Sequence, residues 1–382
     1  MIYTRPDYYD AFSCIANQCE DTCCAGWQIV IDDVSFERYQ REKRAYRDTL
    51  RNGINRKKHT FCQKDGRCAF LRDDNLCDLY LNLGADSLCN TCKSYPRHTE
   101  EFENVREISL SVSCPEVARL LLEQKNPVTF LTEETAEEEE YGEFDLFLYS
   151  KLWDAREELI GILQNRKLAI ADRCILVLGI AHDMQIRIDK GMLFSCDEVF
   201  LRYRRKNALH YIRECFRQLN RDREYTFLFT KSLYRRLYWL EHLKSDWEDL
   251  LVETEALLYA KGSAHYDKLV KAFLCWQKKH MPDFDIYMEQ LLVYFIFTYF
   301  CGAVYDQRVY AKAQLAVASV FYIREFIVAR WLKNDRCLDK EDLVEIIYRF
   351  SRELEHSDQN LELLESLMEK QSMIALLKLV AS

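Results

Sequence analysis

The spacing of the cysteines constrains this chain more than any other feature. Of its 16 cysteines, ten lie between Cys14 and Cys114. They occur as Cys14-x4-Cys19-x3-Cys23-Cys24, as Cys62-x5-Cys68-x8-Cys77-x11-Cys89-x2-Cys92, and as Cys114-Pro115. Cysteines that serve only as small apolar residues have no reason to occur as an adjacent pair and a two-residue-spaced pair. Thiolates that share a soft metal do, because several sulfurs must converge on one point.

Disulfides are the main alternative to metal ligation. Residues 1–10 have no basic n-region, apolar h-region or small-residue cleavage site, so we expect no secretory signal. A chain that is not exported stays in a reducing compartment, where structural disulfides are rare. Metal ligation is therefore favoured, with disulfides and unrelated structural cysteines left open. The other six cysteines are widely scattered, and we interpret them as buried small apolar residues: Cys174, Cys196, Cys215, Cys275, Cys301 and Cys337.

The pattern favours an iron–sulfur cluster but leaves zinc open. Structural zinc sites often have two CxxC or CxxH knuckles, and here only Cys89-x2-Cys92 is present. His59 and His98, the only histidines of residues 1–126, are interpreted as surface residues. Irregular all-cysteine ligation is more typical of a cubane cluster. Adjacent side chains diverge, so Cys23 and Cys24 are not both expected to ligate one ion.

Two cofactor-binding patterns are not supported. Cys19-x3-Cys23 begins the Cys-x3-Cys-x2-Cys motif of radical S-adenosylmethionine enzymes, but Gly26 stands at the third cysteine position. No Gly-x-Gly-x-x-Gly turn follows a strand pattern, so a doubly wound cofactor domain is not indicated.

Composition and periodicity predict a mostly α-helical protein. The 382 residues are 49% hydrophobic and include only 10 Gly and 5 Pro, which suits long helices better than many turns. We expect an irregular cysteine-rich metal or iron–sulfur module at 1–126, an acidic linker at 127–143 and an α-helical bundle or array at 144–382. Apolar residues at three- and four-residue spacing predict helices over 144–163, 168–188, 225–243, 247–259, 266–279, 284–304, 309–333, 340–355 and 358–380. In the module, helices are expected over 35–51, with Ser35 as N-cap, and over 115–125.

The negative charge is localised rather than spread over the chain. Seven glutamates between Glu133 and Glu143 account for most of the net charge of −9, so the two main bodies are nearly neutral. Such a run is typical of a solvated linker. The nearly neutral charge of the two main bodies argues against a nucleic-acid partner. The most apolar run, Leu291–Tyr305, is shorter than the roughly 20 residues of a membrane-spanning helix, so we expect a buried core helix and no membrane partner.

Other candidate site residues carry weaker signals. Arg202–Lys206, with His210, Arg213 and Arg217, is either an anion site or, by default, a solvated helix face. Trp27 either shields a metal from water or packs in an ordinary way. Arg97 either offsets thiolate charge or is an exposed turn residue.

Residues 1–120 also carry a set of motifs that is more specific together than any member is alone. They are Cys14-x4-Cys19-x3-Cys23-Cys24-Ala25-Gly26-Trp27, Ile31-Asp32, Cys68-Ala69-Phe70-Leu71, Asn75-Leu76-Cys77, Leu88-Cys89-x2-Cys92-x2-Tyr95-Pro96-Arg97 and Ser109-Leu110-Ser111-Val112-Ser113-Cys114-Pro115-Glu116. This set resembles the flagellin lysine-N-methylase family. Its amino-terminal part is similar to the broader CxxCxxCC zinc- or iron-chelating family.

The resemblance implies a cytoplasmic bacterial enzyme that N-methylates lysine side chains of flagellin before export. It implies S-adenosylmethionine as methyl donor and a [4Fe-4S] cluster, while catalytic and donor-binding residues stay unassigned. Two other classes remain open: a zinc- or iron-chelating protein without methyl transfer, and a helical interaction protein held together by zinc. The metal-ligand candidates that the resemblance carries over are Cys14, Cys19, Cys23, Cys24, Cys68, Cys77, Cys89 and Cys92.

Overall fold

The amino-terminal part combines short helices with three small sheets. The computed structural model describes residues 1–43, 46–138, 144–205, 207–217 and 223–369. The strands are β1 (Ile2–Pro6), β2 (Ile54–Asn55), β3 (Thr60–Phe61), β4 (Gln63–Lys64), β5 (Arg67–Cys68), β6 (Arg97–Phe102), β7 (Val105–Leu110) and β8 (Phe130–Glu134). The helices are α1 (Asp33–Arg41), α2 (Arg47–Gly53), α3 (Asp78–Leu83), α4 (Asn90–Ser94) and α5 (Pro115–Glu123).

The rest of the described chain is helical, which confirms the mostly-α prediction. The helices are α6 (Leu146–Leu163), α7 (Ile170–Asp189), α8 (Cys196–Tyr203), α9 (Ala208–Arg217), α10 (Arg223–Tyr234), α11 (Trp247–Tyr259), α12 (Ser263–His280), α13 (Phe284–Tyr299), α14 (Ala303–Asp306), α15 (Val309–Lys333), α16 (Lys340–Glu355) and α17 (Asp358–Glu369). The 25-residue α15 is central: it packs against α7, α11, α13, α16 and α17. The predicted helix over 225–243 ends at Tyr234 and continues only as a 3-10 turn to Trp239.

The predicted helix over 35–51 was wrong in its start and its continuity. Asp32 is the N-cap of α1, because its carboxylate accepts a hydrogen bond from the Ser35 backbone N–H at 2.9 Å. Ser35 instead lies buried inside the first turn. The helix ends where Glu42 adopts an extended backbone, and α2 begins anew at Arg47. Side-chain capping one turn earlier than predicted therefore set the start of α1.

The acidic segment is not a plain linker in its first half. β8 pairs antiparallel with β1, with Pro6 opposite Phe130 and Ile2 opposite Glu134, in a four-stranded sheet of order β6-β7-β1-β8. Its glutamates lie on a sheet edge, where charge is tolerated because one side faces water. Glu133 also pairs with Arg5 at 3.3 Å. Residues 139–143 of the predicted linker lie outside the described residues.

The hydrophobic cores of the protein do not divide at residue 126. A small core is built from residues between Cys24 and Cys92 and includes Phe36, Leu50 and Phe70. Apolar residues of β6, β7 and α5 belong instead to the large core of the helical region. The four-stranded sheet and α5 together, called the base below, therefore connect the small core to the helices.

The apolar run at 291–305 is confirmed as a core helix. Among the described residues, one helical stretch, Phe284–Asp306, is long and apolar enough by composition to cross a membrane. However, 83% of its most apolar window is buried inside the protein.

A buried ion pair joins the sheet to the helices. Glu107 on β7 receives two hydrogen bonds from the Arg156 guanidinium on α6, one of them at 2.5 Å. Both side chains are at most 2% exposed. The guanidinium also lies 4.8 Å from the Trp153 ring and 4.9 Å from the Phe297 ring. Because neither charge reaches water, each depends on the other for solvation.

We expect Arg156→Met to lower the free energy of unfolding by about 3–5 kcal/mol, since it leaves the Glu107 carboxylate buried and unpaired. Urea titration measures this change. The control is Arg41→Met, which breaks the exposed pair with Glu37 and should cost at most about 0.5 kcal/mol. Equal losses in the two variants would contradict the buried-pair account.

Candidate functional site

The structure separates the cysteines of the amino-terminal part into two sets. The inner cysteine set packs in the small core and consists of Cys24, Cys68, Cys77, Cys89 and Cys92. The outer cysteine set lies towards the helices and consists of Cys19, Cys23 and Cys114. Cys14 is exposed, and its described polar contact is a hydrogen bond from the Ala16 backbone N–H. Cys23 and Cys24 fall in different sets, but the expected divergence of their side chains is not observed, because a turn at these residues lets the two thiols share a hydrogen bond.

Short backbone contacts bring the inner set together. The Cys68 N–H donates to the Cys24 carbonyl at 2.9 Å, and Cys77 forms an isolated bridge with Leu71. Cys77 and Cys89 are the N-caps of α3 and α4. The α4 turn places Cys92 near Cys89, as the knuckle spacing predicts. Sequence-distant segments therefore deliver five sulfurs to one small core.

The thiols of the inner set influence one another electrostatically. Burial, together with the charges of Cys24, Cys77 and Cys89, raises the pKa of Cys68 to about 12. A hydrogen bond from Cys92 lowers the pKa of Cys89 to about 7, and one from Cys23 does the same for Cys24. Each hydrogen-bonded pair therefore has one thiol poised to ionise and a partner whose pKa is raised.

The donor set fits a soft metal in kind and in number. The fifteen cysteines whose side chains are described are all free thiols. Five of them share one core, and cysteine sulfur is the ligand that zinc and iron–sulfur clusters prefer. Within the described ranges, however, no three Cys, His, Asp or Glu side chains are gathered closely enough to form a finished ion site. The assignment of ligands therefore stays a prediction.

Other sequence-based interpretations have mixed outcomes. Cys174, Cys196 and Cys301 are buried as expected, but Cys275 and Cys337 are exposed, and the side chain of Cys215 lies outside the description. The basic stretch is an ion-paired helix surface: Arg202, Arg204 and Arg213 pair with Asp183, Glu158 and Asp172. Lys206 and the side chain of Arg217 lie outside the described residues.

A buried arginine from α16 serves the outer cysteine set. Arg352 donates to the Ser113 carbonyl at 2.9 Å and to the Asp21 carbonyl at 2.6 Å. Burial raises the pKa of Cys114 to about 11, and the positive charge of Arg352 opposes that rise. The sequence suggested Arg97 for such a role, but the Arg97 guanidinium lies over the rings of Tyr9 and Phe12.

Gly26 makes the close approach of the two parts possible. Its φ of +86° lies in the left-handed region, which favours glycine. A Cβ at this position would also stand 2.6 Å from the side chain of Lys244. Lys244 in turn pairs with Asp21 at 3.0 Å.

A cleft of about 950 Å³ opens between the small core and the helical region. The base contributes His98 and Glu100 of β6, Tyr95 follows α4, and Trp27 reaches the cleft from the small core. The helices α13 to α17, with the segments that join them, contribute the remaining walls. Side chains there include Tyr299, Tyr305, Arg308, Lys312, Glu355, His356, Asp358, Glu362 and Glu365.

One wall of the cleft is a connected polar network. The Tyr95 hydroxyl lies 3.1 Å from the Ser113 hydroxyl, which lies 2.5 Å from that of Ser111. The His356 ring shares a hydrogen bond with Ser113 at 3.0 Å and lies 4.4 Å from the Trp27 ring. Burial lowers the pKa of His356 to about 3, so the ring is neutral at ordinary pH.

The opposite wall carries cations that are already paired. Lys312 contacts Glu365 at 2.7 Å and Asp306 at 3.1 Å. Arg308 pairs with Glu369 at 3.1 Å, while its buried Nε has no hydrogen-bond partner among the described residues. Asp358 and Glu362 are exposed in the cleft and form no ion pair within the described part of the chain. Aromatic faces beside unpaired carboxylates suit a cationic guest.

The sequence analysis did not identify most of the wall that carries the polar network. Ser111 and Glu355, which share a hydrogen bond, are 244 positions apart. Glu355 and His356 lie at the end of a helix whose periodicity signals only a packed face. The serines stood within a quoted motif, but nothing in their spacing indicated a partner on α16.

Known proteins are similar to this chain over part of its length. Residues 156–381, more than half of the chain, match the family described as FliB lysine N-methylase C-terminal domain. The protein named lysine-N-methylase of Salmonella typhimurium is 31% identical over 157 residues, a match that covers 38% of this chain and 38% of that protein. The flagellar biosynthetic protein FliU of Salmonella muenchen is 35% identical over 128 residues, covering 31% of this chain and 76% of that protein. No solved structure matches the chain.

We expect the double variant Cys89→Ser/Cys92→Ser to lose bound metal and to unfold the small core, because structural zinc supplies about 10–16 kcal/mol in small peptides. Metal and sulfide analysis after anaerobic purification, with limited proteolysis of residues 19–94, measures both effects. Cys275→Ser is the control, since that thiol is exposed and remote in sequence. The division of the cysteines is wrong if the two proteins behave alike.

The buried ring of His356 predicts a pH effect on stability. Its pKa of about 3 in the folded protein lies below the value of about 6.5 in the unfolded chain, so the folded state binds fewer protons between these values. Stability contributed by this ring is therefore lost as pH falls from about 6.5 towards 3, by up to about 1.4 kcal/mol per pH unit. His356→Gln should show a shallower acid decline in urea titrations; an unchanged slope would refute the assignment.

Proposed function

Because this chain belongs to the FliB lysine N-methylase family, we propose that it transfers methyl groups to lysine side chains of a protein. The observation that carries the proposal is the cleft between the small core and the helices, whose lining includes both unpaired carboxylates and aromatic rings. The chain spans 38% of the length of the lysine-N-methylases that it matches, so activity and substrate are inferences for this protein.

The cleft suits a lysine side chain in shape and charge. Trp27, Tyr95 and Tyr299 offer rings against which an alkyl chain and its ammonium group can pack. Asp358 and Glu362 stand at the cleft without ion-pair partners among the described residues, so their charge attracts a cation. Methyl transfer needs a neutral amine held in line with the methyl group, and a shaped, partly desolvated cleft favours that arrangement.

S-adenosylmethionine is the proposed methyl donor. When bound, its sulfonium supplies an electrophilic methyl group. The volume of about 950 Å³ is at the upper end of ligand sites of about 300–1,000 Å³, which leaves room for donor and lysine together. Arg308 supports a donor site on the far wall, because its unpartnered Nε can bind a carboxylate.

A [4Fe-4S] cluster held by the inner cysteine set is part of the proposal, with zinc as the alternative. Such a group would cross-link the small core. That core has few apolar residues of its own, so ligation would supply stability that packing does not. No step of the methyl transfer requires it.

Flagellin in the cytoplasm is the proposed substrate. The name of the Salmonella muenchen relative, a flagellar biosynthetic protein, supports a flagellar target. The near-neutral bodies of the chain favour a protein partner over a nucleic acid. A metal-chelating role without methyl transfer is the second candidate, and the five-cysteine core is the observation that favours it.

Mass spectrometry of flagellin from cells with and without this protein tests the proposal. We expect lysines whose mass is raised by one methylene unit per added methyl, present only in cells that contain the protein. Purified protein with labelled S-adenosylmethionine and unassembled flagellin should reproduce the label, and Cys275→Ser should retain it. Identical flagellin masses in the two strains would favour the chelating role.

A further inference from the structure

Glu355 stands out among the carboxylates of the cleft because only one of its two carboxylate oxygens accepts hydrogen bonds. It is the last residue of α16 and lines the cleft. Its Oε2 accepts hydrogen bonds from the Ser111 hydroxyl at 2.5 Å and the Tyr294 hydroxyl at 2.7 Å. Its Oε1 is buried and receives no well-formed hydrogen bond within the described part of the chain. A carboxylate oxygen that is buried without a donor costs free energy unless a ligand completes it.

The unused oxygen is not explained by a neighbouring cation. No Lys or Arg forms an ion pair with Glu355 among the described residues. The basic group whose charge acts on Glu355 is the His98 ring on β6, which is itself paired with Glu100 at 2.6 Å. The other titratable groups that face Glu355 are Tyr294 and Tyr299 of α13, with Asp358 of α17 near His98. Neutral tyrosines can donate hydrogen bonds but carry no charge to balance a carboxylate.

The surroundings also adjust the proton affinity of this carboxyl group. Burial raises the pKa of Glu355, while hydrogen bonds from Ser111 and Tyr294 and the charge of His98 oppose the rise. A raised carboxyl pKa makes a better proton acceptor, because general bases work best when their pKa lies near the operating pH. The hydrogen-bond geometry and the burial of Glu355 therefore both favour a role as proton acceptor.

We propose that Glu355 binds the ammonium group of the target lysine through Oε1 and accepts its proton before methyl transfer. This inference rests on the proposed function and adds the residue that readies the nucleophile. Ser111 and Tyr294 hold Oε2, which fixes the direction in which Oε1 faces. The rings of Tyr299 and Tyr95 flank the path of the incoming side chain.

The step balances without any further reactant beyond a sulfonium methyl donor. The lysine ammonium gives one proton to the Glu355 carboxylate, which leaves a neutral amine and a carboxylic acid. The amine nitrogen then attacks the methyl carbon; the N–C bond forms as the C–S bond breaks, and that electron pair stays on sulfur. The product is a methylated ammonium group with a neutral thioether. The carboxylic acid returns its proton to solvent through the open mouth of the cleft.

Single-turnover methylation of flagellin by the full chain, measured from pH 5 upwards, tests the role of Glu355. We expect Glu355→Gln to lose at least about 100-fold in rate at neutral pH, the usual contribution of a general base. The loss should shrink by at least about tenfold as pH approaches the lysine pKa of about 10.4, because the amine then ionises unaided. Glu355→Asp keeps the carboxylate and should retain more activity than Glu355→Gln.

Two further variants keep the test decisive. Glu341→Gln makes the same change on the same helix, at a side chain that is 59% exposed and pairs with Arg119 outside the cleft, and should match the unaltered protein. Tyr294→Phe removes one hydrogen bond from Glu355 and should move the acid limb of the rate profile to higher pH, which a purely structural residue would not do. The midpoint of thermal unfolding of the Tyr294→Phe variant shows whether that variant is folded.

The outcomes separate the two claims. An unaltered protein that methylates no lysine overturns the proposed function and the Glu355 role with it. If the unaltered protein is active, then Glu355→Gln within threefold of its rate overturns the Glu355 role alone. A folded Glu355→Gln protein whose loss is the same at every pH does so as well, because that result indicates a structural contribution. A loss relieved by alkaline pH supports the proposal.

Discussion

The Arg352 guanidinium is the interaction on which the cleft depends. It is 3% exposed, and from α16 it holds the Ser113 and Asp21 carbonyls, which lie in two different segments of the amino-terminal part. A buried guanidinium must find acceptors, and its planar fork reaches several at once. Because those acceptors flank the outer cysteine set and the serine network, one side chain ties both to α16. The same helix carries Glu355 into the cleft, so this tie positions one wall of it.

The sheet and α5 give the small core a rigid support. Their apolar side chains belong to the same large core as the long helices, and the buried pair of Glu107 and Arg156 ties β7 to α6. The cysteine-rich segment is therefore not a free module on a tether. Whatever metal its thiols hold would be fixed relative to the cleft, even though none of the inner set lines that cleft.

The charges of the cleft are arranged unevenly. Lys312 and Arg308 on one wall are bound to acidic partners, while Asp358 and Glu362 have none among the described residues and Glu355 has a free oxygen. The guest best suited to such a surface brings a positive charge and a short apolar stem, which describes a lysine side chain. The proposal of a lysine substrate therefore rests on family membership and on this local chemistry together.

Sequence by itself determined the local features: the mostly helical class, the bounds of helices such as α11 and α15, and the concentration of cysteines. These follow from periodicity and from neighbouring residues, which act over one or two turns. The tertiary structure alone decided which cysteines share a core, that Phe130–Glu134 form a strand, and that Arg352 and not Arg97 serves the outer set. It also decided the meeting of Ser111 with Glu355 across 244 positions. Such contacts depend on how the faces of helices and sheets pack against one another. A helical repeat of apolar residues indicates that one face of a helix is buried, but it does not indicate which element covers that face.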